Sequence, residues 1–178
     1  MTNSCISHCN LCSLKGEDYA YPQIHRGAGK KIMFIGEAPG EEEAKQHLAF
    51  VGRSGKLLDR WIAYLGINNY VITNIVRHRP PNNRVPTMDE IEACIPYLFE
   101  EVQNEGPYYI IALGKTAART LGCYAFGETV IGKEFFRELG ESNNSFPISV
   151  LYHPSYILRS GRDMTVYLDR LKQRLGVI

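Results

Sequence analysis

The sequence predicts an α/β protein, a three-layer αβα arrangement around a central four-stranded, mainly parallel sheet. Three observations carry that expectation. Short apolar runs of strand length alternate with stretches whose apolar residues recur at helical spacing. Glycines, prolines and one capping box punctuate the junctions. Strands that alternate with helices are joined by crossovers, which make the sheet parallel and cover both its faces.

The elements follow in order. "KIMFI" (31–35) reads as a short buried strand ending at Gly36, and "GEAPGEEEAKQHLAFVGRSG" as a long polar, Gly-rich loop. Leu57, Leu58, Trp61, Ile62 and Leu65 share a helix face, and Gly66 ends that helix. "YVITNIV" (70–76) is a second strand, broken by Pro80 and Pro81. Thr87 with Glu90 forms a capping-box signature for a helix carrying Ile91, Cys94, Ile95, Leu98 and Val102 on one side. "YYIIALG" (108–114) is a third strand and "KTAARTLG" a short helix. After a less regular stretch, "ISVLY" (148–152) is a fourth strand, and a helix over roughly 163–175 closes the chain.

In parallel sheets of this kind ligands collect outside the carboxyl ends of the strands. The loops after the first, second and fourth strands carry Gly36–Gly40, Asn74–Arg84 and His153–Arg159. They are the most chemically loaded segments in the chain, and topology places them on one rim.

The 178 residues suit a single domain, 1–178, with a Cys-rich N-terminal segment, 1–15. No apolar run approaches the roughly 18 residues that span a bilayer, and "MTNSCISHCNLCSLK" is polar where a signal peptide is apolar. A monomer in the cytoplasm, with no membrane partner, is the expected setting. There, five cysteines suit metal ligation or free thiols better than disulfides. A net charge of +1 requires any nucleic-acid surface to be local.

Cys9-x2-Cys12 is a chelating pair, with His78-x15-Cys94 as its partner half; that spacing is not a standard zinc-finger one. From spacing alone, a buried Cys94 and a solvated His78 are an equal alternative. Gly36 and Gly40 let backbone approach a ligand. Glu37 and Glu41 to Glu43 offer carboxylates for a base, although an acidic start to a helix explains at least two of them. Phe50 is a stacking platform or a satellite of the core. A fixed Asn74 amide presents a donor and an acceptor that match uracil N3–H and O4, and it also suits a plain turn. His153 at a strand end can donate to a developing anion. Ile157 and Leu158, flanked by Arg159, suit a wedge entering a DNA groove; a helix starting at Pro154 is the ordinary reading.

Taken together, "CNLC", "GEAPGEEEA", "FVGRSGKLLDR", "NIVRHRPPNNRVPT…EACIPYL", "ALGKTAA" and "HPSYILR" resemble the uracil-DNA glycosylase superfamily. The likeness is greatest to its family 4, the iron–sulfur-containing branch, and covers residues 9 to 159. It implies a DNA repair hydrolase that flips uracil from single- or double-stranded DNA and leaves an abasic site without strand cleavage. By motif, Gly36, Ala38 and Gly40 border the base, Phe50 stacks on it and Asn74 reads it. Glu37 and Glu43 serve the water and sugar, and His153 stabilises the uracil anion. Ser155, Ile157, Leu158 and Arg159 enter the duplex, with Arg77, Arg79 and Arg84 as candidates for phosphate contacts. Cys9, Cys12 and Cys94 match three ligands of a 4Fe-4S cluster. His78 stands where the family usually has cysteine, Cys5 is the alternative fourth ligand, and zinc the alternative metal.

Two other readings remain open. A non-turnover or covalently trapped binder of uracil-containing or damaged DNA fits less well, because "RPPNNR" is short and lacks a second histidine. A glycosylase for another deaminated base fits the same scaffold, with Asn74 favouring uracil.

Overall fold

A computed structural model describes residues 6–16, 18–123, 131–140 and 145–176. Its sheet holds six strands in the order β1-β3-β2-β4-β6-β5. These are β1 Gln23–His25, β2 Ile32–Gly36, β3 Tyr70–Asn74, β4 Tyr109–Leu113, β5 Glu134–Glu138 and β6 Ser145–Leu151. The helices are α1 Glu41–Gln46, α2 Arg53–Leu65, α3 Met88–Glu105, α4 Gly114–Thr120, α5 Pro154–Ser160 and α6 Thr165–Leu175.

The four expected strands form the parallel centre, β3-β2-β4-β6. All five residues of β2 and of β4 are buried, as strands covered on both faces require. The correction lies at the edges, where β1 and β5 add antiparallel strands, making six rather than four. At three residues β1 is too short to show a period. β5, "EFFRE", does alternate, but its exposed edge position leaves it no apolar run.

Three segments depart further from expectation than the shifts of a few residues at other element ends. α1 lies inside the stretch expected to be loop; it is six residues long and buries only Ala44, so it carries no apolar periodicity. β3 ends at Asn74 rather than 76. Beyond it, the Ile75 and Val76 amides donate to Gly36 O and Glu37 O, so the chain turns while still paired with β2's end. Residues 155–159, a loop by the family likeness, are the helix α5 that the ordinary reading gave, with Pro154 at its first position and Gly161 ending it in the left-handed region.

The capping box of α3 is present: Thr87 accepts from the Glu90 amide and Glu90 returns the bond to the Thr87 amide. Sequential order β2, β3 and then β4 on the other side of β2 creates a switch point between β2 and β4. In a doubly wound sheet that is where a crevice opens.

Candidate active site

A cleft of about 570 Å³ lies at that switch point. It is lined by residues at or just after the carboxyl ends of β2 (Glu37 to Gly40), β3 (Asn74), β4 (Leu113 to Lys115) and β6 (His153, Ser155), and by Phe50 and Glu43. The rim expected from the sequence is therefore assembled. The β4 loop was missed, although the same end-of-strand rule applied to "ALGKTAA" would have found it.

Gly36, Phe50 and Asn74 define the floor. A Cβ on Gly36 would stand 2.5 Å from Phe50 Cζ and 2.6 Å from Asn74 Oδ1, so only glycine admits both groups. Phe50 is buried and sits at φ 53, a left-handed conformation that a bulky residue adopts only when its surroundings impose it. Gly55 in the first turn of α2 leaves room for the Phe50 carbonyl, into which a Cβ would collide. Gln23 Nε2 donates to Ala49 O and fixes the preceding residue. Asn74 is 3 % exposed, and its Oδ1 is buried with no hydrogen-bond partner among the described residues. An orphaned acceptor in a cleft is a costly feature that a donor on a ligand would relieve.

The four glutamates separate by environment. Glu41 and Glu42 are exposed and pair with Lys45. Glu43 instead accepts from the Gly52 amide at 3.0 Å, tying α1 to the cap of α2 beyond Phe50. A Cβ on Gly40 would meet Glu43 Oε2 at 2.7 Å, so the carboxylate fills the space over that glycine. Glu37 accepts a hydrogen bond from Thr116 Oγ1 on α4. Ala38 lines the cleft beside it.

His153 is the N-cap of α5, and its Nδ1 accepts from the Ser155 amide at 3.2 Å. A backbone N–H can only donate, so the ring proton of the neutral imidazole is on Nε2. Burial, with the Arg159 charge added, lowers the His153 pKa to about 4. Its ring centroid stands 5.8 Å from that of Phe50. Gly114 has φ +89, and a Cβ there would press on His153 Cβ at 3.0 Å.

The expected DNA contacts divide. Ser155 and Arg159 line the cleft and Leu158 is exposed. Ile157 is buried in the core and not available as a wedge, because α5 turns it inward. Arg77 is also not on the rim; it is buried and bonded to Thr73 and Glu101. Arg84 lines the cleft while holding Glu90 through both terminal nitrogens, at 2.8 and 2.6 Å. Arg79 is half-buried and donates to Asn83 Oδ1 at 2.8 Å.

A separate small cavity of about 20 Å³ is bounded by Cys9, His78 and Cys94. His78 is 2 % exposed, its Nε2 is buried without a partner among the described residues, and burial lowers its pKa. That nitrogen is the one the imidazole has available for a metal. Burial raises the Cys94 thiol pKa, and the nearby Cys12 and Cys9 raise it further. The donor chemistry fits a thiolate-rich metal group. Among the described residues no three such side chains already stand in metal-holding geometry, and Cys5 lies outside them. A strap connects this region to the cleft: Ala20 N donates to Arg77 O, Tyr21 N to His47 O, and Ala49 N to Tyr21 O.

Residues 25–175 match the model of the uracil DNA glycosylase superfamily. The chain is 36% identical over 166 residues to a type-4 uracil-DNA glycosylase of Pyrobaculum aerophilum, covering 86% of this chain and 81% of that protein. It is 33% identical over 160 residues to the type-4 enzyme of Archaeoglobus fulgidus, covering 86% and 79%. Against that of Saccharolobus solfataricus it is 52% identical over 115 residues, covering 62% and 52%.

Proposed function

The chain belongs to the uracil DNA glycosylase superfamily, on its type-4 branch, and on that premise we propose how its cleft works. It is a DNA repair enzyme, a hydrolase that removes uracil from DNA. The observation that carries our assignment of the cleft is the buried, unpartnered Asn74 Oδ1 beside the Phe50 ring.

The target nucleotide leaves the stack and its uracil enters the cleft. Phe50 stacks on it, Asn74 Oδ1 accepts from N3–H, and the Asn74 amide N–H donates to O4. Cytosine has no N3–H and carries a donor at C4, so it leaves the buried amide mismatched. As the C1′–N1 bond breaks, its electron pair goes to uracil, and the neutral His153 donates from Nε2 to O2 of the resulting anion. Water adds to C1′ on the sugar side near Glu37 and loses a proton to that carboxylate or to solvent. The uracil anion takes up one proton, so the products are free uracil and an abasic site. No lysine nucleophile is involved, and the strand stays intact. Glu43 acts by holding the Gly40 and Gly52 turns around Phe50. Ser155, Leu158, Arg159, Arg79 and Arg84 face the DNA, which is bound single- or double-stranded by a monomer. The free cysteines among the described residues suit a reducing cytoplasm.

We further assign Cys9, Cys12, Cys94 and His78 as holders of a 4Fe-4S cluster. The support is the orphaned His78 Nε2 and the surrounding thiols. Such a cluster would cross-link the N-terminal segment to the His78 loop and α3. Residues 1–178 are read as one unit because Leu14 in that segment joins the main core.

Incubation with uracil-containing DNA tests the assignment. Free uracil should be released, and Asn74→Ala should lower the rate by at least about a hundredfold. A wild-type rate in Asn74→Ala, or a denaturant-stable protein–DNA adduct in place of released uracil, would overturn it.

A further inference from the structure

The first turn of α4, which directly follows β4, contributes Gly114, Lys115 and Thr116, none of which the steps above employ. Its geometry is specific. Gly114 adopts φ +89 against His153, a conformation that favours glycine. The turn so formed brings Thr116 across the switch point, where its Oγ1 donates to Glu37 Oε2 from 79 residues away. The Glu37 main chain is also fixed, since its carbonyl accepts from the Val76 amide at 3.2 Å. One carboxylate oxygen is thus tied to α4, and Glu37 itself lines the cleft.

We propose that Thr116 is a positioning residue for uracil excision, holding Glu37 so that its second carboxylate oxygen faces the sugar and water side of the cleft. This deepens the glycosylase assignment and rests on it. A glutamate has three side-chain torsions, and without an anchor it samples rotamers that point its charge away from the reacting carbon. One hydrogen bond to a charged group, made before substrate arrives, removes that search from the chemical step. The half-buried setting of both residues keeps water from replacing the hydroxyl fully.

The test is single-turnover excision of uracil from DNA by the full chain carrying Thr116→Val, Thr116→Ala or Thr116→Ser, with DNA affinity and thermal unfolding measured alongside. Alanine is a good helix former, so the Ala variant serves if the Val variant fails to fold. The expected result is an excision step about tenfold slower in the Val and Ala variants, affinity for uracil-containing DNA within about threefold, and recovery in the Ser variant. A wild-type rate in the Val or Ala variant overturns the proposal. So does a loss confined to DNA affinity, or a Ser variant as slow as the Ala variant. An inactive wild type would sink the glycosylase assignment itself; an active wild type indifferent to Thr116 would sink only this proposal.

Discussion

Asn74 and Phe50 meet over Gly36: the amide oxygen and the ring edge stand 2.6 and 2.5 Å from where a Cβ would project. One missing side chain thus sets the distance between the group that reads the base and the group that stacks on it. Gly36→Ala should fold, because Gly36 does not sit in the left-handed region. Over-packing should cost about 1–3 kcal/mol of stability. Displacement of Phe50 or Asn74 by even about an ångström should slow uracil excision about a hundredfold. Single-turnover rates with circular dichroism on the same samples check both; a fully active Gly36→Ala would remove the base from this position.

His153 makes a prediction about pH. Burial and the Arg159 charge lower its pKa to about 4. It therefore remains neutral, with its proton on Nε2, as pH falls from 8 to 5. The unfolded chain protonates this histidine near its ordinary value of about 6.5, so the group withdraws stability between that pH and about 4. NMR titration of the ring should show no protonation above about pH 5, and Arg159→Ala should move the midpoint upward. A wild-type midpoint near 6.5 would contradict the neutral donor.

Glu90 predicts a slope of the same sign in a more acidic window. The Arg84 guanidinium first, then Ser13 and the Thr87 amide, hold its pKa down at about 2. A carboxylate with a depressed folded pKa stabilises above its unfolded pKa, about 4.5, and that stabilisation is lost as pH falls toward 2. Glu90→Gln should cost about 2 kcal/mol at pH 7, or roughly 4–8 °C in Tm. The gap to wild type should narrow as the pH drops below 4.5. An unchanged gap at pH 3 would show that charge is not what Glu90 contributes.

Metal content tests the remaining assignment. Purified protein should contain iron and acid-labile sulfide, and His78→Ala should lose both while Cys5→Ser keeps them. One zinc per chain, or cluster loss only in Cys5→Ser, would refute the set. Because the strap through Ala20 and Tyr21 joins the Arg77 and Ala49 backbones, His78→Ala should also slow excision by a small factor.

The parallel centre of the sheet was legible because strands buried on both faces must be continuous apolar runs, as "KIMFI" and "YYIIAL" are. The rim was legible too, since strand ends in a parallel sheet share one side and Gly36, Asn74 and His153 each stand at or just after a strand's carboxyl end. What local sequence could not carry was partnership across distance. β5 owes its existence to pairing with β6, and α1 is too short for a periodic signal. Arg77 and Arg84 look alike in "VRHRPPNNR", yet one is buried against Glu101 and the other is on the cleft. Thr116 shows the same limit: nothing in "GKTAA" announces a hydroxyl aimed at a glutamate 79 residues earlier. The sequence by itself determined the apolar pattern, the strand order in time and the residue types at each strand end. Only the tertiary structure decided which polar groups find partners and which, like Asn74 Oδ1 and His78 Nε2, are left waiting for one. The reason is physical: burial and hydrogen bonding are set by neighbours in space, and those neighbours come from the whole chain.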